Sequence, residues 1–288
     1  GIRMKNIDWE NLGFGYIKTD YRYVSNFKNG KWDDGALVTD ENIVLNESAG
    51  VLQYAQTCFE GLKAYRTVNN NVVCFRPDLN AKRMTESCRR LEMPVFPEER
   101  FVQAVVDVVK KNIDFVPPYG SGATLYIRPY MFGLNPVMGV KPADEYQFRI
   151  FTSPVGPYFK GGAKPITLRV PDFDRAAPHG TGHVKAGLNY AMSLHAIVDA
   201  HKQGFNERVV IYYNYTHQRE QLYDMITKLG RHCGRYCADI KEQDIYDTYD
   251  DTVMLVQYKS GSTGIDWLKK GYVCIFYSLP DSYLCFYQ

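Results

Sequence analysis

The sequence predicts a mixed fold of strands and helices, α/β or α+β, spread over about two domain lengths. Three observations carry that expectation. The chain has 288 residues, which at ~150 residues per domain is about two domains. Short apolar, partly β-branched runs bounded by Gly, Pro or Asn are separated by stretches with helical periodicity. Hydrophobic residues make up 45% and charged residues 23%, so the chain can bury a large core and still present a solvated surface.

Taken in order, Val72–Phe75 reads as the first strand. Leu79, Met84, Cys88 and Leu91 then fall near one helical face, with Asp78 as the expected cap. Phe101, Val105, Val108 and Val109 repeat that spacing in a second helix. Ala123–Arg128, Tyr146–Thr152 and Ile166–Val170 read as strands. A third helix runs from about Asn189 to Lys202 and stops at Gly204, a usual C-terminal residue.

Charge and hydropathy exclude several classes. The 34 Lys+Arg against 32 Asp+Glu leave a formal charge of +2, less basic than a nucleic-acid binder driven by counterion release. No apolar run reaches the ~18–20 residues of a membrane span, and Gly271–Leu279 is half that length, so a soluble protein is expected. The start carries no signal-peptide core, and Gly1–Arg3 before Met4 reads as a cloning scar. Seven cysteines at scattered spacing suit reduced thiols, hence a cytoplasmic protein. His232-Cys233-x-x-x-Cys237 brings only three ligands near one another, and His179 and His183 flank glycines in a loop, so no metal is expected.

Composition changes near residue 207. Of the 14 prolines, 13 lie before Asn206, whereas 12 of the 23 tyrosines fall in the last 82 residues. Ahead of that break, Arg175-Ala-Ala-Pro178-His-Gly180-Thr-Gly182-His-Val-Lys185-Ala-Gly187-Leu-Asn189-Tyr190 sets one lysine between a Gly-rich loop and a helix start. On spacing alone Lys185 reads as a solvated loop lysine and Arg83 as a surface arginine.

The order of further segments changes that reading. Tyr54-Ala-Gln-Thr-Cys58-Phe59-Glu60-Gly61-Leu62-Lys63-Ala64-Tyr65-Arg66 is followed by Phe75-Arg76-Pro77-Asp78-Leu79-Asn80-Ala81-Lys82-Arg83-Met84 and then Ala123-Thr-Leu-Tyr126-Ile-Arg128-Pro129. Ser153-Pro-Val-Gly156-Pro-Tyr158-Phe159-Lys160-Gly161-Gly162 and the Lys185 segment complete the series. Over about residues 7–206 the chain closely resembles the branched-chain amino-acid aminotransferases, fold-type-IV enzymes dependent on pyridoxal 5'-phosphate.

The resemblance implies a two-domain α+β fold like that of the D-amino-acid aminotransferases. A smaller N-terminal domain would cover 1–156, a linker 157–162, and a C-terminal domain 163–288, atypical after 207. It implies transfer of the amino group of Leu, Ile or Val to 2-oxoglutarate, with Lys185 holding pyridoxal phosphate as a Schiff base and moving the proton at the substrate Cα. Arg83 matches the arginine that grips the cofactor phosphate, and Tyr190 the tyrosine bonded to its phenolic oxygen. Tyr54, Phe59, Lys63, Tyr126, Arg128 and Tyr158 match positions lining or supporting the substrate pocket. The implied partners are amino acids and 2-oxo acids, with no nucleic acid and no membrane, and the implied assembly is a homodimer.

Two departures accompany the match. Leu188 stands where the family has the second glycine of Lys-x-Gly-Gly-Asn-Tyr, and a positive φ there would strain a leucine by ~1 kcal/mol or more. After Arg208 the Glu-Val-Gly segment that meets the pyridine nitrogen and the Ile-Leu-Pro phosphate loop are missing; Glu220, Glu242 and Ser260-Gly-Ser-Thr263-Gly264 are the available substitutes. A catalytically impaired homologue and a ligand-binding protein of the same fold are the alternative readings. The break in composition is what an altered reading frame, an unusual splice or a recombined end would produce, and of these the altered frame is tested directly. Translating the source gene in every frame past Phe205 is expected to recover a Glu-Val-Gly segment in another frame, and finding none in any frame counts against this explanation.

Overall fold

The computed structural model describes residues 4–157, 177, 179–203, 211–213, 216–228, 232–237, 240–242, 244 and 253–257. The chain divides into two compact units, one of Gly1–Lys164 with Val184–Asn189, the other of Pro165–His183 with Tyr190–Gln288. The Ile166–Val170 strand, the Gly204 stop, linker residues 158–162 and the Ser260–Gly264 loop named above lie outside the described residues.

In the first unit the chain forms β1 (Arg22–Lys28), β2 (Lys31–Trp32), β3 (Ala36–Val38), α1 (Gly50–Tyr54), β4 (Thr57–Phe59), β5 (Leu62–Arg66) and β6 (Val72–Cys74). It continues through α2 (Pro77–Arg90), α3 (Glu98–Lys111), β7 (Thr124–Gly133) and β8 (Tyr146–Val155). The strands form one sheet in the order β2-β1-β8-β7-β5-β6, with β3 on β1 and β4 on β7, and every pairing is antiparallel. The architecture is α+β.

Period-two alternation gives the sheet two unlike faces. Leu125, Ile127 and Met131 of β7 and Phe148 and Ile150 of β8 are fully buried against Ala81, Met84 and Cys88 of α2 and Phe101, Val105 and Val108 of α3. Tyr126, Arg128 and Tyr130 of β7 point the other way, opposite Ser153, Phe151 and Arg149 of β8. Both strands run past the predicted Arg128 and Thr152 limits, to Gly133 and Val155.

The helices depart from expectation in detail. Asp78 does not cap α2; Arg76 occupies the N-cap position in the left-handed region, at φ 46°, and Pro77 opens the helix. Asp78 sits in the first turn, where its carboxylate favours the positive helix end and accepts the Arg76 Nε–H at 2.9 Å. Leu79 is 43% exposed and lies off the core face, which Ala81, Met84, Thr85, Ser87 and Cys88 form. The predicted apolar stripe of α3 is buried throughout. Helix α4 (Gly187–Lys202) begins two residues before Asn189.

In the second unit, β9 (Ile211–Tyr213), α5 (Thr216–Lys228), β10 (Cys233–Tyr236) and β11 (Val253–Gln257) follow α4. The strands form a parallel sheet in the order β10-β11-β9, and Leu222 and Ile226 of α5 pack with Cys233 and Leu255. Helix α5 connects β9 to β10, which lie on either side of β11. No described helix is long and apolar enough to cross a membrane.

The two faces of the sheet should respond differently to truncation. Ile127→Ala is expected to lower stability by ~2–5 kcal/mol in urea unfolding. Tyr65→Ala, on the opposite face of β5, is expected to cost under about 1 kcal/mol.

Candidate active site

The site grows from the join between β4 and β5. Phe59 pairs with Tyr130 and Leu62 with Ile127, so the register continues unbroken and Glu60 falls opposite Pro129. Proline has no N–H to offer the Glu60 carbonyl, and the ladder opens there, although the Glu60 N–H still donates to the Pro129 carbonyl at 2.7 Å. Alternation turns Phe59 and Gly61 to the outer face and Cys58 and Glu60 toward α2.

The free edge of β4 receives the Lys185 segment. Ala186 bridges Cys58 in antiparallel fashion, the Phe59 N–H donates to the Lys185 carbonyl at 3.1 Å, and the Lys185 N–H donates to Ser87 Oγ at 3.2 Å. Since Ala186 is fully buried on the core side, its neighbour Lys185 projects to the outer face. There the half-buried Lys185 Nζ stands 4.7 Å from the centre of the Phe59 ring, and Arg128 Cζ stands 4.7 Å from the same centre.

Arg128 reaches back along β7 to donate from Nη2 to the Tyr126 hydroxyl at 2.7 Å. Phe14 packs edge-on against the Tyr126 ring at 5.4 Å. A side chain at Gly61 would overlap the Tyr126 hydroxyl, so only glycine lets this tyrosine lie across the strand. Lys63 sits directly opposite Tyr126 on the same face. Phe59, Lys63, Tyr126, Arg128 and Lys185 therefore share one surface. Phe14, which lies between two glycines, is the member that the sequence motifs did not indicate.

On the inner side, Glu60 is fully buried and needs partners. Arg83 supplies a two-pronged one, Nε to Oε1 at 2.7 Å and Nη2 to Oε2, and Asn80 Nδ2 adds a bond at 2.9 Å. The Arg83 fork is thereby fixed beside β4, with its side chain 14% exposed. Cys58 and Cys88 meet behind it with their sulfurs 3.7 Å apart. The Cys88 hydrogen bond and then burial push the Cys58 thiol well above its usual pKa, which makes it a packing group and not a nucleophile.

Other predicted site residues fall elsewhere. Tyr54 ends α1 and donates its hydroxyl to the Met138 carbonyl. Tyr158 lies outside the described residues. Tyr190 is in the first turn of α4, in the second unit, and its carbonyl accepts the Ser193 hydroxyl at 2.7 Å. The strain expected at Leu188 does not arise: the residue is helical and is not among those with positive φ. Among the described residues of that loop, His179 has a left-handed backbone, at φ 59°. In the second unit Glu242 is held by Arg235, at 2.7 and 3.0 Å, and Glu220 by Arg219, at 2.7 Å. The Arg235 bonds hold the Glu242 carboxyl below its usual pKa.

Residues 57–215 match the family model described as amino-transferase class IV. A branched-chain-amino-acid aminotransferase of Haemophilus influenzae is 53% identical over 205 residues, covering 71% of this chain and 60% of its own length. The crystal structure of the Escherichia coli branched-chain amino acid aminotransferase superposes with a TM-score of 0.51 at 27% identity, covering 66% of this chain and 59% of that one. The branched-chain aminotransferase of the archaeon Thermoproteus uzoniensis, solved with norvaline, shares the fold at a TM-score of 0.54 and 21% identity, covering 74% of this chain and 76% of that one. The chain spans between about half and three-fifths of the length of the curated relatives it matches.

The Glu60–Arg83 pair gives a direct test of this arrangement. Arg83→Met leaves a buried carboxylate with Asn80 alone and is expected to cost ~3–5 kcal/mol in urea unfolding. Adding Glu60→Met should recover part of that loss, and strictly additive effects in the double-mutant cycle would contradict the pairing.

Proposed function

The chain belongs to the class IV aminotransferases, and on that premise we propose that it is a pyridoxal-phosphate transaminase moving the amino group of Leu, Ile or Val to 2-oxoglutarate. The observation that carries the proposal is the Lys185 amine, set by strand pairing over the Phe59 ring that Arg128 also approaches.

The residues present suit the cofactor. A half-buried primary amine on a firm backbone is what an aldehyde requires; the Arg83 guanidinium, held by Glu60 on the inner side of the β4–β5 join, enters as the phosphate-binding group through the resemblance alone. When bound, pyridoxal phosphate supplies an electron sink for charge developing at the substrate Cα. Lys185 Nζ takes the proton from that carbon and returns it, as a general base and then a general acid. Arg128 and the Tyr126 hydroxyl orient a carboxylate. Phe14, Phe59 and Tyr126 give an aliphatic side chain apolar walls and exclude water from it. Tyr54, Lys63, Tyr158 and Tyr190 enter the proposal through the resemblance alone.

The proposal extends to a cytoplasmic homodimer. The described cysteines are thiols, which suits a reducing compartment. Leu52, Met138 and Val140 are exposed where the 136–140 loop joins the α1 region through Ala49–Pro136 and Ser48–Val137 pairing, an apolar surface that a second copy would cover.

Borohydride reduction of the full chain with pyridoxal phosphate is expected to label Lys185, as read by peptide mass spectrometry. Lys185→Ala should abolish that label and lower leucine transamination by ~10³-fold or more. Labelling scattered over surface lysines would overturn the proposal, and Lys185 labelling with no keto-acid product would assign the chain as a ligand-binding member of the fold.

A further inference from the structure

A cavity opens on the outer face of the same sheet, about 220 Å³ in volume and lined by Tyr16, Arg22, Glu41, Tyr130, Arg149 and Phe151. Strand register places it. Arg149 of β8 faces Tyr130 of β7, one outward-facing position along from the Arg128–Phe151 pair, and Arg22 comes from the adjoining strand β1. Phe151 forms an aromatic wall, with Tyr16 edge-on at 5.7 Å and Tyr130 edge-on at 5.9 Å.

Two guanidinium groups are buried here, Arg22 at 1% and Arg149 at 6% exposure. Buried arginines ordinarily meet a carboxylate, because removing the charge from water is costly. Among the described residues neither makes an ion pair with one. Arg22 donates to the carbonyls of Thr39 and Thr19, while Arg149 donates to Gln147 Oε1 at 3.0 Å and to the Asp40 carbonyl at 3.4 Å. The neighbouring carboxylates compensate them only through space: Glu41, which also lines the cavity, accepts the Tyr16 hydroxyl at 2.8 Å, pairs with Lys18 at 3.2 Å and feels the Arg22 charge, while Asp40 accepts from Asn42 and feels the Arg149 charge. The Arg149 Nε–H is buried with no acceptor among the described residues.

We propose that this cavity binds a small oxyanion, a carboxylate or a phosphate, through Arg149 Nε, the Arg22 guanidinium and the Tyr130 hydroxyl. The anion supplies the missing acceptor and compensates two charges together. Its size suits a compact ligand, and the site needs nothing from the Lys185 chemistry.

Calorimetric titration of the full chain with inorganic phosphate and, separately, with acetate, at ionic strength held constant with chloride, tests this. Saturable binding of either anion that depends on Arg149 is expected, and the titration that saturates identifies which anion class the site takes. Arg149→Met should weaken it by at least about tenfold and Tyr130→Phe by about threefold, while Lys185→Ala leaves it unchanged. Tyr130→Phe removes one hydroxyl and keeps the ring, so it remains informative if the Arg149 variant folds poorly. No binding above the chloride control, or binding insensitive to Tyr130→Phe and lost in Lys185→Ala, would overturn the proposal.

Discussion

A carboxylate cannot sit in an apolar interior without donors around it, and Glu60 is fully buried. Its need for Arg83 and Asn80 determines how α2 lies against the β4–β5 join. Once α2 is placed, Ser87 receives the Lys185 N–H and Cys88 meets Cys58, so the lysine segment can dock only along the exposed edge of β4. The position of one amine on the outer face thus follows from the solvation of one acid on the inner face. Proline at 129 belongs to the same arrangement, since it leaves the ladder open where Glu60 turns toward its helix.

The outer face carries several cationic side chains. Lys185 and Arg128 share the Phe59 ring, and Arg149 and Arg22 follow along the neighbouring strands. Aromatic rings separate these charges and provide the π surfaces on which two of them rest. Such a surface favours anionic ligands with apolar bodies.

Much of this was legible in the sequence, for physical reasons that differ by element. The apolar stripes of α3 and the runs within β7 and β8 are long and regular, so periodicity found them. Strand β1 escaped notice because Arg22, Ser25 and Asn26 break its apolar pattern; Arg22 is buried although its residue type suggests surface. Asp78 looked like a cap because caps are commonly acidic, yet Pro77 moved the helix start ahead of it. Leu188 looked strained only on the assumption of a positive φ, which a helical residue does not have. The cluster of Phe59, Lys63, Tyr126, Arg128 and Lys185 came from the order of motifs, since no local spacing distinguishes a reactive lysine from a solvated one. Phe14 gave no signal because a lone aromatic between glycines resembles any loop.

The pleat of β7 has a consequence for how such a protein can change over evolutionary time. Leu125, Ile127 and Met131 bear on folding, whereas Tyr126, Arg128 and Tyr130 bear on what the surface can bind. Residues on opposite sides of a sheet share few partners, so substitutions in the two sets should combine with little interference. A lineage could therefore alter its ligand preference by changing alternate letters of a single strand, while the intervening letters keep the scaffold intact.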